Sequence, residues 1–475
     1  MIKELDYQTK AVDELVEKCA KLLQSGGERR KLVFKAPTGA GKTVMASLLL
    51  ERLAAELPQR GLGEPAFVWI APNQLHEQSC LSMRKFFAET MKLAPKFFEE
   101  LDRSSDAWLK PDEILFVNWQ SINKDTNVAT RDDERGASLY DIARRTREEH
   151  GAPLITIIDE EHLFAGGKAA TQSNEVLSRL RPRVEIRISA TPVTVPDELV
   201  NVPRSDVVAA QMIKEGITIN PRLPNDEGYG AEITLLRAAL KKREELKAAY
   251  ARDGSDINPL LLIQFPNDTS EKLSQEEETL RESLEKYLAA LPGITTGNGR
   301  LAVWLSGESR NLEGIEKPDS IVDALIFKQA IAMGWDCPRA AVLLIFRDMK
   351  SVTFTMQTVG RILRMPEQRH YSEAALNRGY VYTNLARDRI EIVRDDIDYF
   401  KDPPILARRR EGIDNVRLTS ESASRPSQVG HNRLGSDFYG ILLDVVGKEL
   451  LHRPVQLELD FSAFEEEEVE NAEAV

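Results

Sequence analysis

The sequence predicts an α/β fold: two parallel-sheet domains in tandem with a small C-terminal extension. Three observations carry this. Short apolar runs alternate with helix-length segments, as in Leu32-Val33-Phe34, Ala66 to Ala71 and Ile155 to Ile158. A glycine-bearing loop, Ala36-Pro37-Thr38-Gly39-Ala40-Gly41-Lys42-Thr43, joins one such run to the apolar stretch Val44 to Leu50. A second series of apolar runs begins after a stretch punctuated by Pro196, Pro203, Pro221 and Pro224.

In chain order, Asp6 is a plausible cap for a helix with Ala11, Val12, Leu15, Val16, Cys19 and Leu22 on one face. Gln8 at its start carries the donor and acceptors that reading an adenine edge requires, and an exposed helix-start glutamine would look the same. The strand ending at Phe34 delivers the chain to Thr38, Gly39, Ala40 and Gly41. Backbone N–H groups of such a loop, with the N-terminus of the next helix, cradle an anion. Lys42 reaches the outer phosphates and the Thr43 hydroxyl holds Mg²⁺. Position 36 is Ala where the pattern G-x-x-x-x-G-K-[ST] has Gly.

The run Ala66 to Ala71 reads as a buried parallel strand ending near Asn73 and Gln74, and the next as a strand from Ile114 through Asn118, Trp119 and Gln120. Ligands of such sheets sit beyond the carboxyl ends of strands. These five polar or aromatic residues therefore either touch a sugar–phosphate backbone and its bases, or cap and pack locally. The apolar run at Ile155 ends in Asp159-Glu160-Glu161-His162: Asp159 suits Mg²⁺ and Glu160 suits activation of an attacking water. His162 is either a relay or a structural histidine. A strand over Val184 to Ile188 ends in Ser189-Ala190-Thr191, small hydroxyl residues able to couple the acidic site to a second domain.

The expected boundaries are a first domain over 1–200, a linker over 201–228, a second domain over 229–400 and an extension over 401–475. The second domain has a charged helical run from Glu232 to Ala251 and strands over Ile257 to Phe265, Arg300 to Leu305, Asp323 to Phe327, Ala341 to Phe346 and Gly379 to Tyr382. Gly334 and Asp336 lie in a loop beyond one strand end. Gln357, Arg361 and Arg364 are spaced i, i+4, i+7 on one helix face among apolar neighbours, which suits an anionic partner such as a γ-phosphate. After residue 400 the pattern fades to a basic run, Arg408-Arg409-Arg410, and one further helical stretch, Phe438 to Leu451.

Composition sets the class. The 475 residues are 42% hydrophobic and 29% charged, an ordinary soluble composition with length for two or three domains. No stretch approaches eighteen apolar residues and the first residues lack an apolar signal core, so the expectation is a cytoplasmic protein with no membrane partner. Cys19, Cys80 and Cys337 form no metal pattern. The net charge of -13 argues against a general polyanion binder and leaves room for a local basic channel. Eight of the acidic residues fall between Gln456 and Val475, which reads as a solvated tail.

The Tyr7-Gln8 start, APTGAGKT, IAPNQL, DEEH, SAT, the Gly334-Trp335-Asp336 loop and QTVGRILR occur in the order found in superfamily 2 helicases, over about residues 5 to 370. Phe116 to Asn123 and Phe327 to Ala340 further resemble the motor half of the restriction subunit of type III restriction enzymes. The resemblance implies two RecA-like domains with ATP and Mg²⁺ in the cleft between them and nucleic acid across their top, double-stranded DNA above all. It implies that Gln8 reads adenine, that Lys42, Thr43, Asp159, Glu160, Gln357, Arg361 and Arg364 perform hydrolysis, with Gly334 and Asp336 beside the nucleotide, and that His162, Ser189 and Thr191 couple it to movement. It also implies bacterial defence, with a methyltransferase, a nuclease or other defence subunits as partners. No PD…(D/E)-x-K nuclease pattern follows residue 370, and Pro196-Asp197-Glu198 falls in the linker. An ATP-dependent assembly switch without net translocation is the alternative.

Overall fold

Strands that read as unbroken apolar runs must be covered on both faces, and helices on either side of a parallel sheet do this. In the computed structural model the described residues are 5–72, 75–88, 92–101, 103–123, 136–164, 167–220, 231–265, 275–290, 292–305, 307–328, 335–346 and 359–383. The first sheet holds β1 (Arg30–Lys35), β2 (Ala66–Ala71), β3 (Ala94–Phe97), β4 (Glu113–Asn118), β5 (Leu154–Asp159), β6 (Val184–Ser189) and β7 (Glu198–Asn201). Their order across it is β3-β4-β2-β5-β6-β1-β7, with every pairing parallel. β2 is buried at all six positions, as its apolar sequence requires.

Helices α1 (Asp6–Gln24), α2 (Lys42–Gln59) and α3 (Leu75–Phe87) cover one face, where Leu15, Leu49 and Met83 meet Phe34 and Trp69. A single turn α4 (Trp119–Ile122), then α5 (Leu139–Glu148) and α6 (Gly167–Leu180), cover the other, where Ile142 and Leu177 meet Val68 and Leu115. The helix α7 (Arg204–Ala209) follows β7.

The second sheet holds β8 (Gly216–Ile219), β9 (Leu260–Gln264), β10 (Leu301–Leu305), β11 (Glu308–Arg310), β12 (Ala324–Phe327), β13 (Ala340–Ile345) and β14 (Arg378–Thr383), in the order β11-β10-β12-β9-β13-β14-β8. All pairings are parallel except the β10–β11 hairpin. Between β8 and β9 comes α8 (Ala231–Arg252), whose Leu236, Leu246 and Tyr250 pack over Leu344, and between β9 and β10 comes α9 (Gln275–Ala290).

The expected linker over 201–228 is corrected. It contains α7 and then β8, which pairs with β14 and opens the second sheet at Gly216. A four-residue edge strand with the sequence Gly-Ile-Thr-Ile gives too short a pattern to read. The crossover between sheets is thus Ala210–Glu215. Residues 401–475, with Arg408-Arg409-Arg410, Phe438 to Leu451 and the acidic tail, lie outside the described residues.

Candidate nucleotide-binding site

The phosphate loop is held from behind. Gly39 and Gly41 have φ of 87° and 81°, conformations that favour glycine. A Cβ on Gly41 would stand 2.6 Å from Gln8 Nε2, and one on Gly39 would stand 2.8 Å from Ile213 Cγ2. Tyr7 Oη donates to the Ala40 carbonyl at 2.8 Å and Gln8 Nε2 donates to it at 3.1 Å. Gln8 is 5% exposed and stands behind the loop, not on the cavity wall. Here the Gln8 amide braces the loop. Lys42 opens α2, and its Nζ arches back to donate to the carbonyls of Ala36 (3.2 Å) and Pro37 (3.3 Å). Burial pushes the Lys42 ammonium below its ordinary range, with Glu160 and Asp159 opposing the shift.

In front of the loop lies a cavity of ≈ 530 Å³, enough for a nucleoside triphosphate. Asp159 and Glu160, at the end of β5, line it beside Lys42 and Thr43. Glu160 has φ of 52°, a left-handed turn that lets two successive carboxylates reach the same space instead of alternating across the strand. Its N–H donates to Asp159 Oδ1 at 3.0 Å. Burial, then the Glu160 carboxylate, pushes Asp159 up to about 7. Among the described residues no cluster of three or more His, Cys, Asp or Glu side chains suits a metal ion. A divalent cation bound through one carboxylate, one hydroxyl and substrate phosphates fits this donor set, and Thr43 with Asp159 supplies it.

The expected coupling residues meet. His162 Nδ1 lies 3.1 Å from Ser189 Oγ and 3.5 Å from Glu160 Oε2, and Thr191 N–H donates to Ser189 Oγ at 3.0 Å. Burial holds His162 below the usual imidazole range, so the neutral ring prevails at neutral pH.

Glu161 is a residue that sequence reasoning missed. It is fully buried and accepts from Val193 N–H (2.6 Å), Thr194 N–H (3.2 Å) and Thr194 Oγ1–H (2.7 Å), with Arg187 Nη1 at 3.6 Å. It ties the acidic turn to the segment after Thr191. The available signal was Arg187, which alternates with Glu185 along a strand whose place inside the sheet buries both faces, so its charge demands buried partners. Arg187 also holds Glu185 at 2.6 Å. Glu161→Ala is therefore expected to destabilise the protein by about 2–4 kcal/mol, read as a shift in the urea midpoint at unchanged m.

The second sheet domain closes the cavity. Residues 359–362 are helical, and a Cβ on Gly360 would stand 2.9 Å from Thr38 Cβ, so this turn rests directly on the phosphate loop. Arg361 and Arg364 both line the cavity. Arg361 Nη1 donates to the Trp335 carbonyl, and Arg364 Nη1 pairs with Asp336, which also lines the cavity. Burial brings both guanidinium groups down to about 10, and Glu160 opposes this in each case. Gln357, Gly334, Asn73 and Gln74 lie outside the described residues.

Trp119 is corrected from a base-stacking surface to a core residue: it is buried, and its ring meets Phe164 edge-on at 4.8 Å. Asn118 caps α4, its side chain accepting from Gln120 N–H at 2.9 Å. Gln78, Ser79 and Ser82, on one face of α3, line the cavity and were not foreseen. Asp197 accepts from Lys31 N–H and Glu198 pairs with Lys21.

Residues 1–194 match the family described as Type III restriction enzyme, res subunit. No curated protein sequence matches the chain significantly. Among solved structures, the ATP-dependent Type ISP restriction-modification enzyme LlaBIII bound to DNA aligns at TM-score 0.50 and 14% identity, over 81% of this chain and 28% of that one. A fragment of a putative HsdR subunit of a type I restriction enzyme from Vibrio vulnificus aligns at TM-score 0.48 and 16% identity, over 83% of this chain and 66% of that one. S. cerevisiae Dbp5 bound to RNA and ADP BeF3 aligns at TM-score 0.43 and 12% identity, over 83% and 89%. The fold is that of two tandem RecA-like domains, and the chain resembles the motor part of the type III restriction enzyme res subunit, the family its residues 1–194 match.

Proposed function

We propose that the protein hydrolyses ATP between its two sheet domains and uses the cycle to move on nucleic acid, double-stranded DNA first, as a motor in bacterial restriction or defence. One observation carries this reading. Lys42, Asp159 and Glu160 from the first domain and Arg361 and Arg364 from the second line a single cavity. A site bearing three cations and three acids, one of them Asp336 paired with Arg364, suits a polyphosphate with its counter-ion.

In this reading Lys42 and the loop N–H groups hold the outer phosphates, and Thr43 and Asp159 hold Mg²⁺, which neutralises phosphate charge when bound. Glu160 orients a water whose oxygen attacks the γ-phosphorus. The β–γ bridging P–O bond breaks, ADP departs and the water proton passes to Glu160. Arg361 and Arg364 face the charge on the transferring group. Glu160, His162 and Ser189 form a contiguous path by which loss of the γ-phosphate is felt beyond β6. Domain reopening then shifts the grip on the strand.

The test is the ATPase rate with duplex DNA, single-stranded DNA, RNA or no nucleic acid at one stated salt concentration. Stimulation of tenfold or more by duplex DNA is expected, with ATP-driven displacement of a triplex-forming strand. No hydrolysis under any condition overturns the reading, and stimulation by RNA alone overturns its DNA part.

A further inference from the structure

The crossover between the two sheets is laced to the arginine-bearing helix. Ile213 belongs to the core of the first domain and Ile217 to the core of the second, so the chain changes domain within this stretch. Ile213 and Arg364 are antiparallel bridge partners. Lys214 N–H donates to the Leu363 carbonyl at 2.6 Å, and Met365 N–H donates to the Met212 carbonyl at 3.3 Å. The Lys214 side chain then runs into the protein and its Nζ donates to the Ile362 carbonyl at 2.8 Å. Both carbonyls belong to the end of the helix that carries Arg361, where acceptors lack intrahelical donors and a positive charge is favoured. Arg204 fixes the other side, donating to the carbonyls of Lys214 (2.9 Å) and Glu215 (2.7 Å).

Lys214 is 0% exposed, and among the described residues no carboxylate pairs with it. Burial alone brings its ammonium down to about 7. An enclosed cation held by a backbone carbonyl is costly, so packing is a poor reason for its presence. Its neighbour supplies a better one. The Ile213 side chain stands against Gly39 of the phosphate loop, where a Cβ would lie 2.8 Å from Ile213 Cγ2 and 3.3 Å from Arg364 Cγ. The loop, Ile213 and, one residue later, the helix end are thus joined by direct contacts.

We propose that Lys214 is a positioning residue for hydrolysis: with its amide and ammonium on the last carbonyls of the arginine-bearing helix, it transmits the position of the phosphate loop to Arg361 and Arg364. The inference rests on the ATPase reading above.

Lys214→Met keeps the stem and removes the ammonium. Its kcat for ATP is expected to fall about tenfold with KM within twofold of wild type, while the thermal midpoint stays at or above wild type. In an Arg361→Ala/Arg364→Ala background the same change is expected to have no further effect, because Lys214 acts through those side chains. Lys214→Gln, too short to span to Ile362, carries the same test if the methionine variant does not accumulate. An unchanged kcat, an equal loss in the arginine-free background, or a loss matched by a lower thermal midpoint each overturns the inference. Absence of ATP hydrolysis by the wild-type protein overturns the ATPase reading and this inference with it. Wild-type hydrolysis with an unaffected Lys214→Met overturns this inference alone.

Discussion

Glu160→Gln is expected to lower kcat for ATP hydrolysis by about 10²–10⁴-fold, some 3–5 kcal/mol of barrier, while nucleotide binding is kept or tightened. The substitution is isosteric, so the left-handed turn at Glu160 and its N–H donation to Asp159 at 3.0 Å persist. What is lost is the acceptor for the water proton. The same change removes the carboxylate that helps push Asp159 up to about 7, so Asp159 ionises more readily and holds a cation better. Lys42→Ala contrasts with it. On the proposed mechanism, removing the ammonium takes a phosphate ligand from the cavity, so both binding and turnover are expected to fail, with Kd for ATP rising at least tenfold. Single-turnover hydrolysis and equilibrium binding of a fluorescent ATP analogue separate the two. A Glu160→Gln protein that retains a third or more of wild-type turnover would remove Glu160 from the chemistry.

The central strands were legible because a strand buried on both faces admits almost nothing but apolar residues. β2 and β13 are buried at every position and read directly from their composition. The edge strands β3, β7 and β8 were not. Each has four residues, and β3 carries Pro95, which an edge tolerates and a pattern reading rejects. The phosphate loop was legible because its geometry is local, set by glycines within a few positions of Lys42. Gln8 was not, because a carbonyl 32 positions away decides whether its amide reads a ligand or braces a loop. Trp119 misled for a similar reason: the expected strand runs through Gln120, but the chain turns helical at Trp119 and delivers the ring to Phe164. At the acidic turn, alternation along β5 does not tell Glu160 from Glu161. The positive φ at Glu160 sends the first carboxylate to the cavity, and the second goes to Val193, Thr194 and Arg187.

Arg361→Ala is expected to reduce kcat by about 10³-fold with KM for ATP within threefold, and Arg364→Ala to reduce it comparably. The asymmetry between kcat and KM follows from where the two groups now stand. Arg361 is tied to the Trp335 carbonyl and Arg364 to Asp336, so neither is committed to a ground-state phosphate. The Asp336 side chain is 57% exposed, and an ion pair with so wet a partner is easily exchanged for a phosphate oxygen that gains charge as the bond breaks. The guanidinium groups, brought down only to about 10 by burial, stay charged at pH 7 and need no proton to act. Lysine is not an adequate substitute. It lacks the planar fork that can hold a backbone carbonyl and a phosphate oxygen together, so Arg361→Lys is expected to lose nearly as much as Arg361→Ala. The proposed mechanism has both arginines meet one developing charge, so the double variant should fall well short of the product of the two single losses. Full additivity in steady-state rates would place the two guanidinium groups at separate tasks, and kcat kept within threefold in both single variants would mean that the second domain takes no part in the hydrolytic step.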